Sequence, residues 1–256
     1  MGKTRIEKKI ITSLADIQGF FILAARTLVR IVRRPTYYRE FITHFDKIGV
    51  GSIFIISLTG FFTGMVMALQ ALIQLKPFAA TSYVGGMVAV TMVKELGPVL
   101  SSLMVTGRCC SAITAELGTM VVTEQVDAMR VEGTDIISRL VTPRLKATLL
   151  AMPLLALITD AISIVGGYII AAGYGISPLM YWKSLPQFMR PLDLFEAVAK
   201  PAVFGFILCM VGCYVGLNTR GGSEGVGEGA KKAVVIASVL ILVTDFFMTK
   251  VLVAFR

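Results

Sequence analysis

The sequence predicts an all-α, polytopic membrane protein with five transmembrane helices and an N-terminal amphipathic helix at the membrane interface. Hydrophobic residues make up 55% of the 256-residue chain and charged residues only 16%, whereas soluble domains carry about 25% charged residues. Apolar segments recur along the chain, and several reach the roughly 20 residues that a helix needs to cross a bilayer.

Residues 1–47 are predicted to form a cytoplasmic N-terminus that contains an interfacial helix over residues 10–34. Apolar residues in that segment recur every three or four positions, and Arg26 and Arg30 contribute to an adjacent basic face. This arrangement is typical of a helix that lies in the plane of the membrane with its arginines among the lipid headgroups.

Residues 48–256 are predicted to form a membrane domain of five spans, each an apolar run with few charges. Polar segments lie between several of these spans. Residues 121–146 are the charged centre of the chain. Residues 173–200 are expected to form an interfacial loop with a short helix, and residues 220–232 a glycine-rich cytoplasmic loop. The predicted spans are residues 48–75, 83–107 with an extension to 120, 147–172, 201–219 and 233–255.

Two of the predicted spans have features that bear on their packing. Gly60 and Gly64 in the first span either allow close contact with another helix or are incidental glycines, which are common in membrane helices. The second span is too long for one straight transmembrane helix, so we expect it to kink near Pro98 or to project into the cytoplasm.

The distribution of basic residues orients the spans. With the N-terminus inside, 17 of the 25 lysines and arginines fall in cytoplasmic segments, as the positive-inside rule expects. Five spans then place Arg256 on the opposite side of the membrane. Because the basic residues cluster beside apolar runs, the formal charge of +9 does not indicate a nucleic-acid partner.

The cysteines do not have the spacing of a metal site. Cys109 and Cys110 are adjacent, and Cys209 and Cys213 are one helical turn apart, but all four lie in apolar sequence. They lack the second pair of ligands that a structural zinc site needs. We expect them to be small buried apolar residues and expect no metal.

Charged residues inside the predicted spans are candidate functional positions, because a carboxylate within the bilayer is costly unless it faces protein or water. Lys94 and Glu95 are about 100° apart on a helix and should not pair with each other. Glu95 is either a polar point in a lipid cavity or part of a buried structural ion pair with an arginine of another segment. Asp160 and Asp245 are likewise either functional groups or structural charges with a buried partner.

The charged centre of the chain contains the pattern of a short cytoplasmic helix, TEQVDAMRVEG at residues 123–133. Asp127 and Arg130 are spaced to pair on its surface, and Val126 and Met129 offer an apolar contact. Such a helix either docks into a groove of a soluble partner or is an ordinary amphipathic helix in a loop.

A series of short motifs around this helix resembles the MlaE/YrbE permease family, and the resemblance covers essentially the whole chain. The segments GFFTGMVMALQ (residues 60–70) and GVGEGAKKAVV (residues 225–235) also match that family. The motifs are Glu95-Leu96-Gly97-Pro98, Gly107-Arg108, Ser111-Ala112, Ala115-Glu116, Gly118, Thr123-Glu124-Gln125, Ala128, Gly133, Asp135 and Pro143-Arg144.

Some positions depart from the family pattern. Lys94 stands where the family usually has arginine, which keeps the charge but loses the bidentate fork. Cys110 replaces a usual glycine, Ile136 replaces the proline after the aspartate, and Lys231-Lys232 replaces a common threonine pair.

The resemblance implies the permease subunit of an ABC transporter that moves phospholipids between the inner and outer membranes. It implies a homodimer in the bacterial inner membrane, with the N-terminus cytoplasmic and the C-terminus periplasmic. The implied partners are a cytoplasmic ABC ATPase, a periplasmic MCE-domain protein and, in many systems, a STAS-domain protein. The sequence lacks a G-x-x-x-x-G-K-[ST] motif, so we expect ATP to be used by the partner, no cofactor on this chain and no enzymatic activity.

A transported phospholipid needs an apolar groove for its acyl chains and a polar point for its headgroup. Flexible methionines suit the groove, and amide and ammonium groups suit the headgroup. The predicted lipid-binding residues are Met65, Val66, Met67, Leu69, Gln70, Lys94 and Glu95. The predicted ATPase-coupling residues are Glu124, Val126, Asp127, Met129, Arg130 and Asp135.

The main alternative is a stand-alone ion-coupled secondary carrier of lipid or solute, with Glu95, Asp160 and Asp245 as ion or proton sites. The docking segment and the lack of inverted halves count against it. An intramembrane enzyme is a third hypothesis, but no H-E-x-x-H, G-x-S-x-G or Cys-His pattern supports it.

Overall fold

The structure, a computed structural model, describes residues 2–31 and 37–254, with side chains described from Leu14 onward. Residues 32–34 of the predicted interfacial helix and Arg256 lie outside the described residues. The described ranges form helices and turns without a strand. The α-helices are α1 (Gly2–Ile31), α2 (Tyr38–Ile48), α3 (Ile53–Leu75), α4 (Val84–Thr91), α5 (Gly97–Val105), α6 (Ser111–Val122), α7 (Gln125–Val131), α8 (Thr142–Gly173), α9 (Pro178–Phe188), α10 (Pro191–Leu217) and α11 (Gly222–Ala254).

Five continuous helical segments among the described residues are long and apolar enough to cross a membrane. This confirms the predicted all-α, five-span membrane fold. The longest has 42 residues, which at 1.5 Å per residue exceeds a hydrocarbon core of about 30 Å. The segments are Tyr38–Phe78, Thr81–Val122, Ile137–Gly173, Pro191–Leu217 and Gly222–Ala254.

The second span is irregular on both sides of Pro98. A π-helical turn at Met92–Leu96 precedes α5, and another at Thr106–Cys110 follows it. Pro98 occupies the first turn of α5, where the wide turn before it relieves the clash that a proline ring makes with the preceding turn. The expected irregularity near Pro98 is therefore a pair of π-helical turns within one continuous helical segment.

The fourth and fifth spans begin earlier than the sequence predicted. Residues 191–200, expected in an interfacial loop, form the start of α10, because Pro191 suits a first helical turn and the Arg190 N–H donates to Asp193 Oδ2 at 2.9 Å. Residues 222–232, expected as a glycine-rich cytoplasmic loop, are helical. Gly221, just before this helix, and Gly222, its first residue, have positive φ and form the turn into it.

The helix α1 leaves an apolar face uncovered. Ala24 and Thr27 are buried, and Phe20 packs edge-on against Tyr214 of α10. By contrast, Leu14, Ile17, Phe21, Leu28 and Val29 are exposed. An exposed apolar face beside arginines is what a helix at a membrane interface requires.

The first and third spans approach each other through glycines. A Cβ atom on Gly60 would lie 2.9 Å from the Thr159 carbonyl oxygen, and one on Gly64 would overlap the Ser163 carbonyl. The interpretation of Gly60 and Gly64 as residues of a close helix contact is therefore confirmed for α3 and α8.

We expect Gly64→Ala to destabilise the protein by about 1–3 kcal/mol, because the added methyl group has no space beside the Ser163 backbone. The thermal unfolding midpoint of the purified protein in detergent measures this effect. Gly227→Ala is the matched control, since nothing lies within 4 Å of a Cβ atom at that helical position. Equal midpoints for the two variants would contradict the close contact.

The four cysteines are buried free thiols, as predicted. Cys109, Cys110, Cys209 and Cys213 all belong to one hydrophobic cluster, which also contains residues of α6, α8 and α11. Their surroundings explain the cysteines as small core residues.

Candidate transport and coupling sites

A fully buried lysine joins three spans through an ionic network. Lys200 Nζ in α10 lies 2.8 Å from Glu95 Oε2 in the second span and 3.3 Å from Asp245 Oδ1 in α11. The Lys200 side chain has no exposed surface, whereas 39% of the Glu95 side chain is exposed. The network is therefore buried at its cation and open at one of its carboxylates.

The hydrogen bonds of Lys200 explain why its two carboxylate contacts differ. Its ammonium group has three protons, and these are donated to Glu95 Oε2, to the Lys94 carbonyl oxygen and to Thr249 Oγ1, each at 2.8 Å. The Thr249 hydroxyl in turn lies 3.2 Å from both Glu95 oxygens. Asp245 Oδ1 is left with an electrostatic contact whose geometry is not that of a hydrogen bond.

The network lies at similar depth in all three spans. Glu95 follows the start of α4 by eleven residues, Lys200 follows the start of α10 by nine, and Asp245 precedes the end of α11 by nine. At 1.5 Å per residue these separations are about 14–17 Å. All three helix ends lie on one side of the bundle, since successive spans alternate in direction. The distance of the network from these helix ends is therefore about half the thickness of a hydrocarbon core of about 30 Å.

Lys94 has a separate partner. Its Nζ lies 3.4 Å from Asp193 Oδ1 at the start of α10, and the Asp193 side chain is 1% exposed. Lys94 and Glu95 therefore do not pair with each other, as predicted, but contact positions two turns apart on α10. Glu95 forms an ion pair with another segment, and its partner is a lysine rather than the expected arginine.

Sequence reasoning missed Lys200, Asp193 and Thr249. Lys200 is the last residue of segment 173–200, which the sequence predicted to be an interfacial loop outside the membrane. The missed signal is spacing: Asp193 and Lys200 are seven residues apart, hence on one helical face, and the apolar sequence continues directly after them.

One of the predicted lipid-binding residues lies on a groove in the described part of the chain. Leu69 lines a groove of about 470 Å³ beside the turn between α3 and α4, together with Leu72, Ile73, Lys76, Ala79, Thr81, Tyr174 and Ile176. Lys94 and Glu95 are not in its lining. Met65 and Met67 are half-buried, and Met67 packs on the cluster around Val84 and Tyr181. Val66 and Gln70 are exposed.

The predicted cytoplasmic helix is α7, and its surface differs from the expected one. Arg130 Nη1 lies 2.8 Å from Asp127 Oδ1, so the predicted pair forms, and both side chains are exposed. Val126 is only 3% exposed and Met129 is half-buried against the same core. The placement of Val126 as an apolar surface anchor is wrong, because its side chain holds α7 onto the bundle. Val131, which is 90% exposed, is the apolar side chain that α7 presents.

The two ends of the predicted coupling segment are also ordered. Glu124 is exposed and adopts a left-handed conformation with φ of 60° immediately before α7. Asp135 Oδ2 lies 2.7 Å from Arg30 Nε of α1 and accepts a hydrogen bond from the Ser138 hydroxyl. Asp135 therefore connects the segment after α7 to the N-terminal helix.

Other charged residues of the motif region have structural partners. Arg144 is almost completely buried and lies 3.0 Å from Glu116. Arg108 donates to the Lys47 carbonyl oxygen and to the Ser52 hydroxyl. Asp160 differs from them, since it is 3% exposed and neither carboxylate oxygen has a hydrogen-bond partner within the described residues.

Five apolar spans around a buried ionic network, with a short surface helix between the second and third spans, describe a multi-pass membrane protein. The chain belongs to the MlaE permease family: the sequence profile of that family, described as Permease MlaE, matches residues 41–251. This membership confirms the family predicted from the sequence and makes the chain a permease of the ABC transporter type.

Relatives from several organisms support the assignment. The chain is 38% identical to a probable ABC transporter permease protein of Rickettsia bellii over 96% of this chain and 95% of the relative. It is 36% identical to the chloroplastic protein TRIGALACTOSYLDIACYLGLYCEROL 1 of Arabidopsis thaliana over 89% of this chain and 65% of that protein. It is 30% identical to the intermembrane phospholipid transport system permease protein MlaE of Haemophilus influenzae over 91% and 90% of the two chains.

Proposed function

We propose that this chain is the membrane subunit of an ATP-driven transporter that moves phospholipids between the inner and outer membranes of a bacterium. It lies in the inner membrane with its N-terminus in the cytoplasm and its C-terminus in the periplasm. The positive-inside distribution of lysines and arginines supports this orientation. The name of the Haemophilus influenzae relative supports phospholipid as the substrate.

The observation that carries the proposal is the Glu95–Lys200–Asp245 network. Charged groups at the midplane of a bilayer are expensive and are retained where a polar group must cross. Most charged groups of the network already have partners within it, yet 39% of the Glu95 side chain is exposed. A lipid headgroup that reaches this depth would meet Glu95 and the cation behind it, while the acyl chains remain against the apolar spans.

We propose that two copies of the chain form the working unit. The fifth span is largely uncovered in a single chain. Its exposed apolar residues Val235, Val239, Leu242 and Phe246 follow each other at intervals of four, three and four, so they form one stripe on the helix. In a homodimer, this surface and the open side of Glu95 would face a shared cavity. A periplasmic MCE-domain protein and, where present, a STAS-domain protein complete the proposed assembly.

We propose that α7 transmits the action of a separate cytoplasmic ABC ATPase. This chain binds no nucleotide or other cofactor itself, in keeping with the lack of a Walker-type motif in its sequence. The exposed Asp127–Arg130 pair and the exposed Val131 supply the contact surface. Burial of Val126 and the Arg30–Asp135 pair hold that surface rigidly on the spans, so movement of α7 would be transmitted to them.

The test exchanges the charges on α7. We expect Asp127→Arg and Arg130→Asp each to lower co-purification of the partner ATPase, because each places two like charges side by side and alters the docking surface. The double exchange restores the pair within the helix but reverses its polarity, so we expect it to remain defective. Membrane insertion should be unchanged in all three variants.

The outcome separates docking from local helix stability. If the double exchange recovers full ATPase binding while the single variants do not, the pair only stabilises α7. If all three variants bind the ATPase normally, the proposed coupling role of α7 is wrong. Arg39→Gln, on the exposed side of α2, is the control for loss of one basic residue from the same side of the membrane.

A further inference from the structure

Two adjoining cavities at the cytoplasmic end of the bundle share the side chains of Arg26 and Arg30. The first, of about 360 Å³, lies between α1 and the segment that follows α7, and Arg130, Thr134 and Asp135 are also in its lining. The second, of about 330 Å³, is lined by Ala25 and Val29 together with the shared arginines. The first is the basic cavity, in which three arginines lie beside Leu23, Ile136, Ile137 and Leu217. The second is the apolar cavity, in which Ala25 and Val29 lie beside the two shared arginines.

The basic cavity has more positive than negative charge. Three arginines line it, against the single carboxylate of Asp135. Asp135 already accepts contacts from Arg30 Nε and the Ser138 hydroxyl, and Arg130 is held by Asp127. An acceptor that enters the cavity would meet guanidinium groups that Asp135 alone does not neutralise.

Arg30 has an unused donor at this place. Its Nη1 atom is buried and has no hydrogen-bond partner within the described residues. Buried polar atoms are nearly always paired, so an unpaired donor on a side chain that lines both cavities indicates that a further acceptor can bind there. Guanidinium groups form their best contacts with phosphate and carboxylate oxygens, which accept two parallel hydrogen bonds.

The adjoining apolar cavity favours an anion that also has an apolar chain. Ala25 and Val29 line it, and the side chains of Leu28 and Val29 are exposed on the face of α1 that suits a membrane interface. An anion on the arginines that also has an acyl chain would cover this surface, whereas a free anion would leave it uncovered.

We propose that this cleft binds an anionic phospholipid of the cytoplasmic leaflet, with its phosphate on Arg26, Arg30 and Arg130 and one acyl chain along Ala25 and Val29. The site is separate from the Glu95–Lys200–Asp245 network, and its lipid is a regulator rather than the transported substrate. Because the lipid contacts both α1 and Arg130 of α7, it would fix the coupling helix relative to the membrane surface. The choice of leaflet rests on the proposed function.

The experiment measures lipid binding to the purified full-length permease, by native mass spectrometry in detergent. The probes are short-chain phosphatidylglycerol, short-chain phosphatidylcholine and inorganic phosphate. We expect preferential binding of phosphatidylglycerol. Arg26→Gln should weaken it by about tenfold, the effect of losing one hydrogen bond to a charged group, while leaving the Arg30–Asp135 pair intact. Asp135→Asn should strengthen it, because it removes the negative charge from the cleft.

The matched control is Arg39→Gln, which removes an exposed arginine elsewhere on the same side and should leave binding unchanged. Equal binding by the Arg26→Gln and Arg39→Gln variants, or weaker binding by Asp135→Asn, overturns the site. Displacement of phosphatidylglycerol by inorganic phosphate at equal concentration makes it a free-anion site and overturns the lipid assignment. The readout needs no transport, so failure of the proposed function would leave this result unaffected.

Discussion

Replacing Lys200 with methionine should destabilise the protein by about 3 kcal/mol. The substitution leaves Glu95 and Asp245 near the midplane of the membrane without the cation that both contact. Removing one partner of a buried ion pair costs about 3–5 kcal/mol. We expect the low end of that range, because the Glu95 side chain keeps 39% exposure and part of its hydration.

Thermal unfolding in detergent measures this effect, with an expected fall in the midpoint on the order of 10 °C. Lys183→Met, at an exposed position on α9, controls for the loss of one lysine. The triple variant Lys200→Met, Glu95→Gln, Asp245→Asn should recover most of the loss, because it removes the charges together. An unchanged midpoint for Lys200→Met alone would mean that the network does not stabilise the bundle.

Replacing Glu95 with alanine should reduce lipid transport by about tenfold or more, the effect of losing a hydrogen bond to a charged group, while assembly with the ATPase remains intact. Glu95 is the partly exposed carboxylate of the network, and it holds the Lys200 ammonium group and the Thr249 hydroxyl in place. Its loss should also leave Lys200 with Asp245 as its only carboxylate partner. The substitution therefore alters both the charge and the geometry of the Glu95–Lys200–Asp245 network.

Glu95→Gln separates those two contributions, because glutamine keeps oxygen and hydrogen-bonding capacity but loses the charge. A transport defect equal to that of Glu95→Ala would assign the role to the carboxylate charge. Transport is measured by transfer of labelled phospholipid from vesicles that contain the complex, with Asp46→Asn as an exposed control. Normal transfer by Glu95→Ala at wild-type expression would remove Glu95 from the site.

The sequence predicted the fold correctly wherever a local pattern determines the structure. Apolar runs with few charges, long enough to cross a bilayer, predicted five spans. The four-residue spacing of Gly60 and Gly64 indicated a close helix contact as one of two interpretations, without naming α8 as the partner. The motifs around Glu95 and Glu124 predicted the family. In each case, the responsible residues are neighbours in the chain, so their spacing alone carries the information.

The candidate site was harder to predict from the sequence, because it depends on contacts between distant segments. The sequence predicted Lys200 outside the membrane, because it ends segment 173–200, which was expected to be an interfacial loop. Its burial makes sense only when Glu95, 105 residues earlier, and Asp245, in another span, supply the compensating charge. Likewise, the spacing of Val126 predicted an apolar face on α7 but not whether the chain itself or a partner covers that face.

The glycine-rich residues 222–232 are a second case in which contacts between distant segments decide the structure. Glycine is unfavourable in a helix, so the sequence predicted a loop. In the structure, the segment forms the first turns of α11, and a Cβ atom on Gly229 would lie 3.4 Å from Thr219 Oγ1 and 3.8 Å from Thr114 Cγ2. A contact between helices, not the propensity of single residues, decides the conformation there.

The most direct test of the central claim is phospholipid transfer by the purified permease and its ATPase in vesicles, measured with labelled lipid. We expect transfer to require both ATP and the ATPase, to stop in the Asp127→Arg variant and to be insensitive to an imposed proton or sodium gradient. Transfer by the permease alone, driven by an ion gradient and abolished by Asp160→Asn, would contradict this account and identify the protein as an ion-coupled carrier.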